Sequence, residues 1–259
     1  MPATPAWPPK SAPRLFVSGP LAEGAPVVID GPQAHYLVKV MRLAEGDAVI
    51  LCDDETGEWA ARASSVGKRE VSLIPEALLR MREQVPDFTL VAALLKKPQF
   101  DMVLEKACEL GVRRIQPVIT RRCVADRLNP ARARAILTEA AEQCARTALP
   151  ELAEPVKLEA LLRGWPEDRL LFFADETGGA PAAAAFAARS GAAALLIGPE
   201  GGFDGAERDA IRALSQAQAI ALGPRILRGE TAAIAGAALW MAIAGDWGTG
   251  DRGAGDWAN

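Results

Sequence analysis

The sequence predicts an α/β protein in two parts, a small barrel-like β domain followed by a larger domain built on a parallel sheet. Three observations carry this. Residues 14–75 hold several short strand signals and a single helical stretch. From Phe88 onward, apolar strand-like runs alternate with helical patterns, the order that gives a parallel sheet covered on both faces. Between them, residues 80–86 form a polar stretch that ends in Pro86. The chain has 259 residues, 50% of them hydrophobic, which is ample for one large or two ordinary cores.

Residues 1–13, rich in proline and alanine, read as a disordered lead-in; they lack the basic start and apolar core of a secretion signal. Arg14-Leu15-Phe16-Val17 is a first strand. Residues 33–43 have helical spacing, with His35, Val38 and Arg42 on neighbouring turns. Residues 47–52, 58–66 and 70–74 are strands separated by glycine or acidic turns. In the larger domain, residues 88–95 are continuously apolar, as a strand buried on both faces must be. Residues 100–110 form a helix stopped by Gly111, and residues 115–120 a strand. Residues 130–146 are a helix with Ile136, Leu137, Ala140, Ala141 and Cys144 as its apolar positions. Strands at 170–174, 192–197 and 219–222 then alternate with helices at 181–189, 204–215 and 231–244. The expected divisions are the lead-in, a domain at 14–80, a second at 86–247 and a loose tail at 248–259, with no internal repeat.

Composition excludes several functions. The longest apolar stretch, residues 232–244, falls short of the about 18 residues a membrane span needs and reads as a buried helix. Four cysteines without a Cys-x-x-Cys pair, and one histidine, His35, argue against a metal centre. They also argue against Ser-His-Asp hydrolysis and for buried free thiols in a cytoplasmic chain. His35 reads as a packing or helix-end residue. Net charge is −4, yet residues 1–146 carry 20 Lys and Arg against 18 Asp and Glu, and residues 147–259 carry 9 against 15. Basic pairs such as Lys96-Lys97 and Arg121-Arg122 concentrate in the first part, a hint of an anionic partner set against ordinary solvated surface.

Two segments near the C-terminus carry the chemistry. Leu195-Leu196-Ile197-Gly198-Pro199-Glu200-Gly201-Gly202-Phe203 and Ala221-Leu222-Gly223-Pro224-Arg225-Ile226-Leu227-Arg228-Gly229-Glu230-Thr231 are each an apolar run that stops at a Gly-Pro turn and enters a helical pattern. Ligands of open α/β sheets bind at the carboxyl ends of strands, so two such ends can line one pocket. Asp204 and Glu207 have capping-box spacing, which places a helix start there. No Gly-Lys-Ser/Thr follows, so this is no Walker loop, and no acidic residue ends the strand at 219–222 to hold the ribose of a dinucleotide. In the second segment Arg225, Arg228 and Glu230 lie between a strand and a nearly all-apolar helix, where charge is costly unless it is paired or working. A structural Arg228–Glu230 salt bridge is the plainer alternative. The final helix is apolar on nearly every face and must be covered all round, as a subunit interface would do.

Together the segments resemble the signature of the RsmE family, S-adenosylmethionine-dependent small-subunit ribosomal RNA methyltransferases of the SPOUT superfamily. Residues 195–202 and 222–232 match its two C-terminal motifs. His35 with Val40-Met41-Arg42, the helix around Lys106-Ala107-Cys108-Glu109-Leu110-Gly111-Val112, Arg122-Cys123 and Glu142-Gln143 with Arg146 also fit. Ala125-Asp126 stands where the family often has lysine, and Gly229 where threonine or valine is commoner. The resemblance implies a PUA-like RNA-binding barrel and a SPOUT domain with a deep trefoil knot. It also implies a homodimer, needing no metal and no membrane, that methylates N3 of one uridine in 16S ribosomal RNA, free or within the assembled small subunit. A different SPOUT enzyme acting on a ribose 2′-hydroxyl or a transfer RNA base, or a non-catalytic RNA-binding dimer, are the alternatives.

On that reading Arg228 is the first candidate to stabilise the uracil anion, Arg225 the second, and Glu230 the nearest base, with water as its competitor. The cofactor cradle is expected from Leu196, Ile197, Gly198, Glu200 and Gly201 on the first segment, and from Leu222, Gly223, Ile226, Leu227 and Thr231 on the second. Ala174, followed by Asp175-Glu176, would supply a third wall. Lys39, Arg42, Arg121 and Arg122 would hold RNA.

Overall fold

The computed structural model describes residues 7–247. The expected tail at 248–259, and residues 1–6 of the expected lead-in, lie outside them. The chain forms two compact units, Met1–Gln84 with Ala141–Leu149, and Val85–Ala140 with Pro150–Asn259.

The first unit is a five-stranded sheet in the order β1-β3-β4-β5-β2. Its strands are β1 (Arg14–Phe16), β2 (Val27–Asp30), β3 (Ala48–Cys52), β4 (Gly57–Val66) and β5 (Glu70–Met81). All pairings are antiparallel except β1 with β3. Leu15, Leu37, Val49, Leu51, Val71 and Leu73 are in its core. β5 runs past Pro75, where the sequence suggested an end. The register slips opposite it, between Ala60 and Ala61, which absorbs the missing N–H. β2 left no pattern in the sequence, because only Ile29 of its four residues is buried. Helix α1 (Gly31–His35) continues as a wider π turn over Tyr36–Val40. The helix expected to reach residue 43 therefore stops early. Arg42 takes φ of 55°, and the Leu43 N–H returns to the Leu37 carbonyl at 3.0 Å, which buries both leucines.

Residues 141–149 belong to this first unit, which local sequence did not reveal. The Phe16 N–H donates to Glu142 Oε1 at 2.8 Å, and the Leu149 N–H to Asp54 Oδ1 at 2.9 Å. The N–H groups of Thr147 and Ala148 share Glu83 Oε1 at 3.1 Å.

The second unit is an eight-stranded sheet in which every pairing is parallel. Its strands are β6 (Phe88–Ala93), β7 (Arg114–Ile119), β8 (Glu151–Leu152), β9 (Val156–Lys157), β10 (Leu170–Ala174), β11 (Ala180–Pro181), β12 (Ala193–Ile197) and β13 (Ala217–Ala221). The order is β11-β13-β10-β12-β6-β7-β8, with β9 also on β7. All residues of β6 and β12 are buried, as their unbroken apolar runs require. The helices are α2 (Lys97–Glu109), α3 (Pro130–Cys144, of which residues 141–144 belong to the first unit), α4 (Leu158–Arg163), α5 (Ala182–Ala187), α6 (Gly205–Arg212) and α7 (Gly229–Ile243). α7 packs against α2, α5, β6 and β12, while α4 lies against α6. The Phe88 and Trp240 rings stack at 4.1 Å, and Gly236 leaves room for Leu195 beneath α7. The sequence missed only the two-residue strands β8, β9 and β11 and the six-residue α4, which are too short to show a period. No helix among the described residues is long and apolar enough to cross a membrane.

Candidate active site

β10 lies between β12 and β13, so the carboxyl ends of these three strands adjoin. There they open into a cavity of about 570 Å³. Its walls are the turn after β10, the first glycine segment after β12 and the second after β13.

The first segment keeps its shape by contacts only glycine allows. Gly202 has φ of 66°, and a Cβ on it would overlap the Glu176 carboxylate. Its N–H closes a turn on the Pro199 carbonyl at 2.9 Å. The capping box expected at Asp204 and Glu207 is formed. The Glu207 N–H donates to Asp204 Oδ1 at 2.7 Å and the Asp204 N–H to Glu207 Oε2 at 3.1 Å. The second segment meets the first directly: a Cβ on Gly229 would stand 3.4 Å from the Gly198 carbonyl oxygen. Arg228 occupies the cap position of α7, which starts at Gly229, two residues before the sequence suggested.

The third wall is stiffened from α6. Asp175, its side chain fully buried, accepts from Arg208 Nε at 3.2 Å and Arg212 Nη2 at 2.7 Å. It also accepts from the Thr177 N–H and hydroxyl at 3.0 and 2.8 Å. Burial alone would raise its pKa. The Thr177 bonds and the two guanidinium charges outweigh that and hold it below its ordinary 3.8. A carboxyl lowered in the folded state stabilises the fold above its unfolded pKa, and that stability is lost as pH falls through the folded value. The melting temperature of the wild type is therefore expected to drop more steeply than that of Asp175→Asn on acidification below about pH 4. The variant should melt lower at neutral pH, and parallel curves across that range would contradict the linkage.

Most of the expected cradle converges. Ala174, Ile197, Gly198, Glu200, Gly201, Leu222, Gly223, Ile226 and Leu227 all line the cavity, as do Arg225 and Arg228. Three candidates lie off the lining. Leu196 is buried within β12, Thr231 is exposed on α7, and Glu230 is buried with its Oε2 unpartnered. Arg228 makes no salt bridge to Glu230, and neither Arg225 nor Arg228 has an ion pair among the described residues. Arg121 and Arg122 hold the first segment: Arg121 Nη1 donates to Asp204 Oδ2 at 2.9 Å and Arg122 Nη1 to the Gly201 carbonyl at 2.8 Å. Lys39 and Arg42 are exposed on the first unit. His35 is exposed and is the last residue of α1. Arg208 and Arg212 were not legible as site residues; their four-residue spacing on α6 was the only signal.

An RNA methyltransferase domain model matches residues 82–241, and an RNA methyltransferase PUA domain model matches residues 29–76. The chain is 31% identical over 230 residues to ribosomal RNA small subunit methyltransferase E of Synechocystis, covering 85% of this chain and 74% of that one. It is 30% identical over 221 residues to the Bacillus subtilis protein of that name, covering 79% and 85%. Among solved structures, the Neisseria gonorrhoeae ribosomal RNA small subunit methyltransferase E bound to S-adenosyl methionine superposes with a TM-score of 0.83 at 26% identity, covering 91% of this chain and 99% of that one. With the glycine segments joined in one cavity and both domain models matched in order, the chain belongs to the ribosomal RNA small subunit methyltransferase E family.

Proposed function

We propose that this protein transfers a methyl group from S-adenosylmethionine to N3 of a uridine in 16S ribosomal RNA. The convergence of both glycine segments on one cavity carries the reading, and the family's reaction and the cofactor-bound Neisseria structure support it. The cavity of about 570 Å³ lies in the range of small-molecule sites, and the residues present fit the cofactor. Gly198, Gly201 and Gly223 leave main chain open to an adenine edge, and Ile197, Leu222 and Leu227 supply apolar contact. Bound there, S-adenosylmethionine supplies a methyl group activated by its positive sulfur.

The rest falls to the chain. N3 of neutral uracil carries a proton and no free lone pair, so charge builds on O2 and O4 as that proton leaves. The guanidinium of Arg228, with Arg225 beside it, stabilises those oxygens, and the positive end of α7 adds to the field. Glu230 lies off the lining, so water reaching the cavity takes the N3 proton, and Glu230 offsets the local positive charge. Lys39 and Arg42 on the PUA unit and the exposed guanidinium faces of Arg121 and Arg122 bind RNA phosphates.

Closure of the five-stranded sheet into a barrel, a deep trefoil knot around β13 and α7, and a homodimer complete the reading. Ile226, 93% exposed beside the cavity, gives a second subunit apolar surface to cover. No metal takes part, and the cytoplasm, where ribosomal RNA is assembled, is the place of action. Mass mapping of modified uridines tests the function: one N3-methyluridine in 16S ribosomal RNA should vanish when this protein is deleted and return with the wild-type gene. An unchanged modification map would refute it.

A further inference from the structure

Glu176 stands two residues beyond β10 and lines the cavity from its third wall. Its side chain is 43% exposed, yet it is not free to wander. Oε1 accepts from Arg208 Nη2 at 2.9 Å, and the carboxylate rests over the bare α-carbon of Gly202. Arg208 is itself fixed, because Nε donates to the fully buried Asp175 at 3.2 Å. The second oxygen of Glu176 has no protein partner among the described residues. The cavity thus presents a positioned acceptor with spare lone pairs. The other charged residues of its lining are Asp175, fully buried and already taken up by Arg208, Arg212 and Thr177, Glu200 at an exposed turn, and the cations Arg225 and Arg228.

We propose that Glu176 is the ribose acceptor of this site, taking hydrogen bonds from the vicinal 2′- and 3′-hydroxyls of an adenosyl ligand. The inference rests on the reading that the cavity takes S-adenosylmethionine. That ligand brings two kinds of strong donor besides its adenine amine, the ribose diol and the α-ammonium. Arg208 already offsets the Glu176 charge, which weakens its pull on a cation but leaves its lone pairs for hydroxyls. A carboxylate at a strand's carboxyl end is also the geometry by which α/β folds hold ribose. The strand that does so here is β10, seated between the two glycine segments, and not the strand that follows the first of them.

Calorimetry separates the possibilities. The probes are S-adenosylhomocysteine, 5′-methylthioadenosine, which lacks the ammonium, and 2′-deoxy-5′-methylthioadenosine. Glu176→Ala should weaken the first two by about tenfold alike, the size of one exposed charge-assisted hydrogen bond. Loss of the 2′-hydroxyl should cost the wild type affinity and cost Glu176→Ala nothing further. Glu176→Gln, which keeps the shape and one acceptor, should fall between and melt as the wild type does. A loss confined to S-adenosylhomocysteine would mean Glu176 holds the ammonium and would overturn the proposal. So would wild-type affinities in Glu176→Ala, or a deoxy penalty that survives the substitution. If the wild type binds none of the three probes, the cofactor reading itself fails and this inference falls with it.

Discussion

Replacing Arg228 by alanine is expected to lower methyl transfer by about 10²–10³-fold, the usual cost of removing one positioned donor from a developing oxyanion. Cofactor binding should stay within about threefold of the wild type, because the lost interaction belongs to the transition state. The structure makes this substitution clean. Arg228 is exposed on the cavity wall, has no ion pair among the described residues, and makes no side-chain cap bond to α7. Its removal therefore takes away a charge without unlatching a helix. Arg228→Lys keeps the charge but loses the planar fork, and partial rescue is expected. Single-turnover methyl incorporation into small-subunit RNA, paired with calorimetry, measures both halves. Undiminished turnover in Arg228→Ala would remove it from the mechanism.

Gly198→Val is expected to weaken cofactor binding by about one to two orders of magnitude. Gly198 lines the cavity at the point where β12 ends. A Cβ there already falls 3.1 Å from Phe203 Cε2 and 3.2 Å from Cζ, closer than side chains normally pack. Phe203 is 1% exposed and held in the core beneath α6, so the ring has little room to give. The two γ-methyls of valine must then push the segment into the space reserved for ligand. Overpacking of this kind costs about 1–3 kcal/mol, which at the site reads as roughly 5–160-fold in affinity. A variant that melts normally yet binds S-adenosylhomocysteine as the wild type does would place the cofactor elsewhere.

The Glu200 and Leu227 sides of the cavity show how far local reasoning reached. Each glycine segment announced itself by an apolar run, a Gly-Pro turn and a helix start, all readable within about ten residues. The capping pair Asp204 and Glu207 was legible for the same reason, since a cap is a contact between near neighbours. Glu230, as the candidate base, and Thr231, in the cofactor cradle, were expected at the site beside Arg228. On the helix they point elsewhere, because one residue turns a side chain by about 100° around α7. Leu196 was lost to the cradle by the strand equivalent, a two-residue alternation that sends it into the core. Arg208 and Arg212 had only helical spacing to mark them, and nothing local says that a buried Asp175 waits opposite.

Local chemistry by itself determined the parallel α/β class, the two glycine turns, the cations beside them and the small β-rich unit that precedes them. Tertiary structure alone decided that β10 inserts between β12 and β13, that residues 141–149 return to the first unit, and that Arg208 ties Glu176 across Gly202. The physical reason is range. Periodicity, caps and turns are set by neighbours a few residues apart, whereas strand order and buried ion pairs join residues more than thirty positions apart and leave no local pattern in the chain.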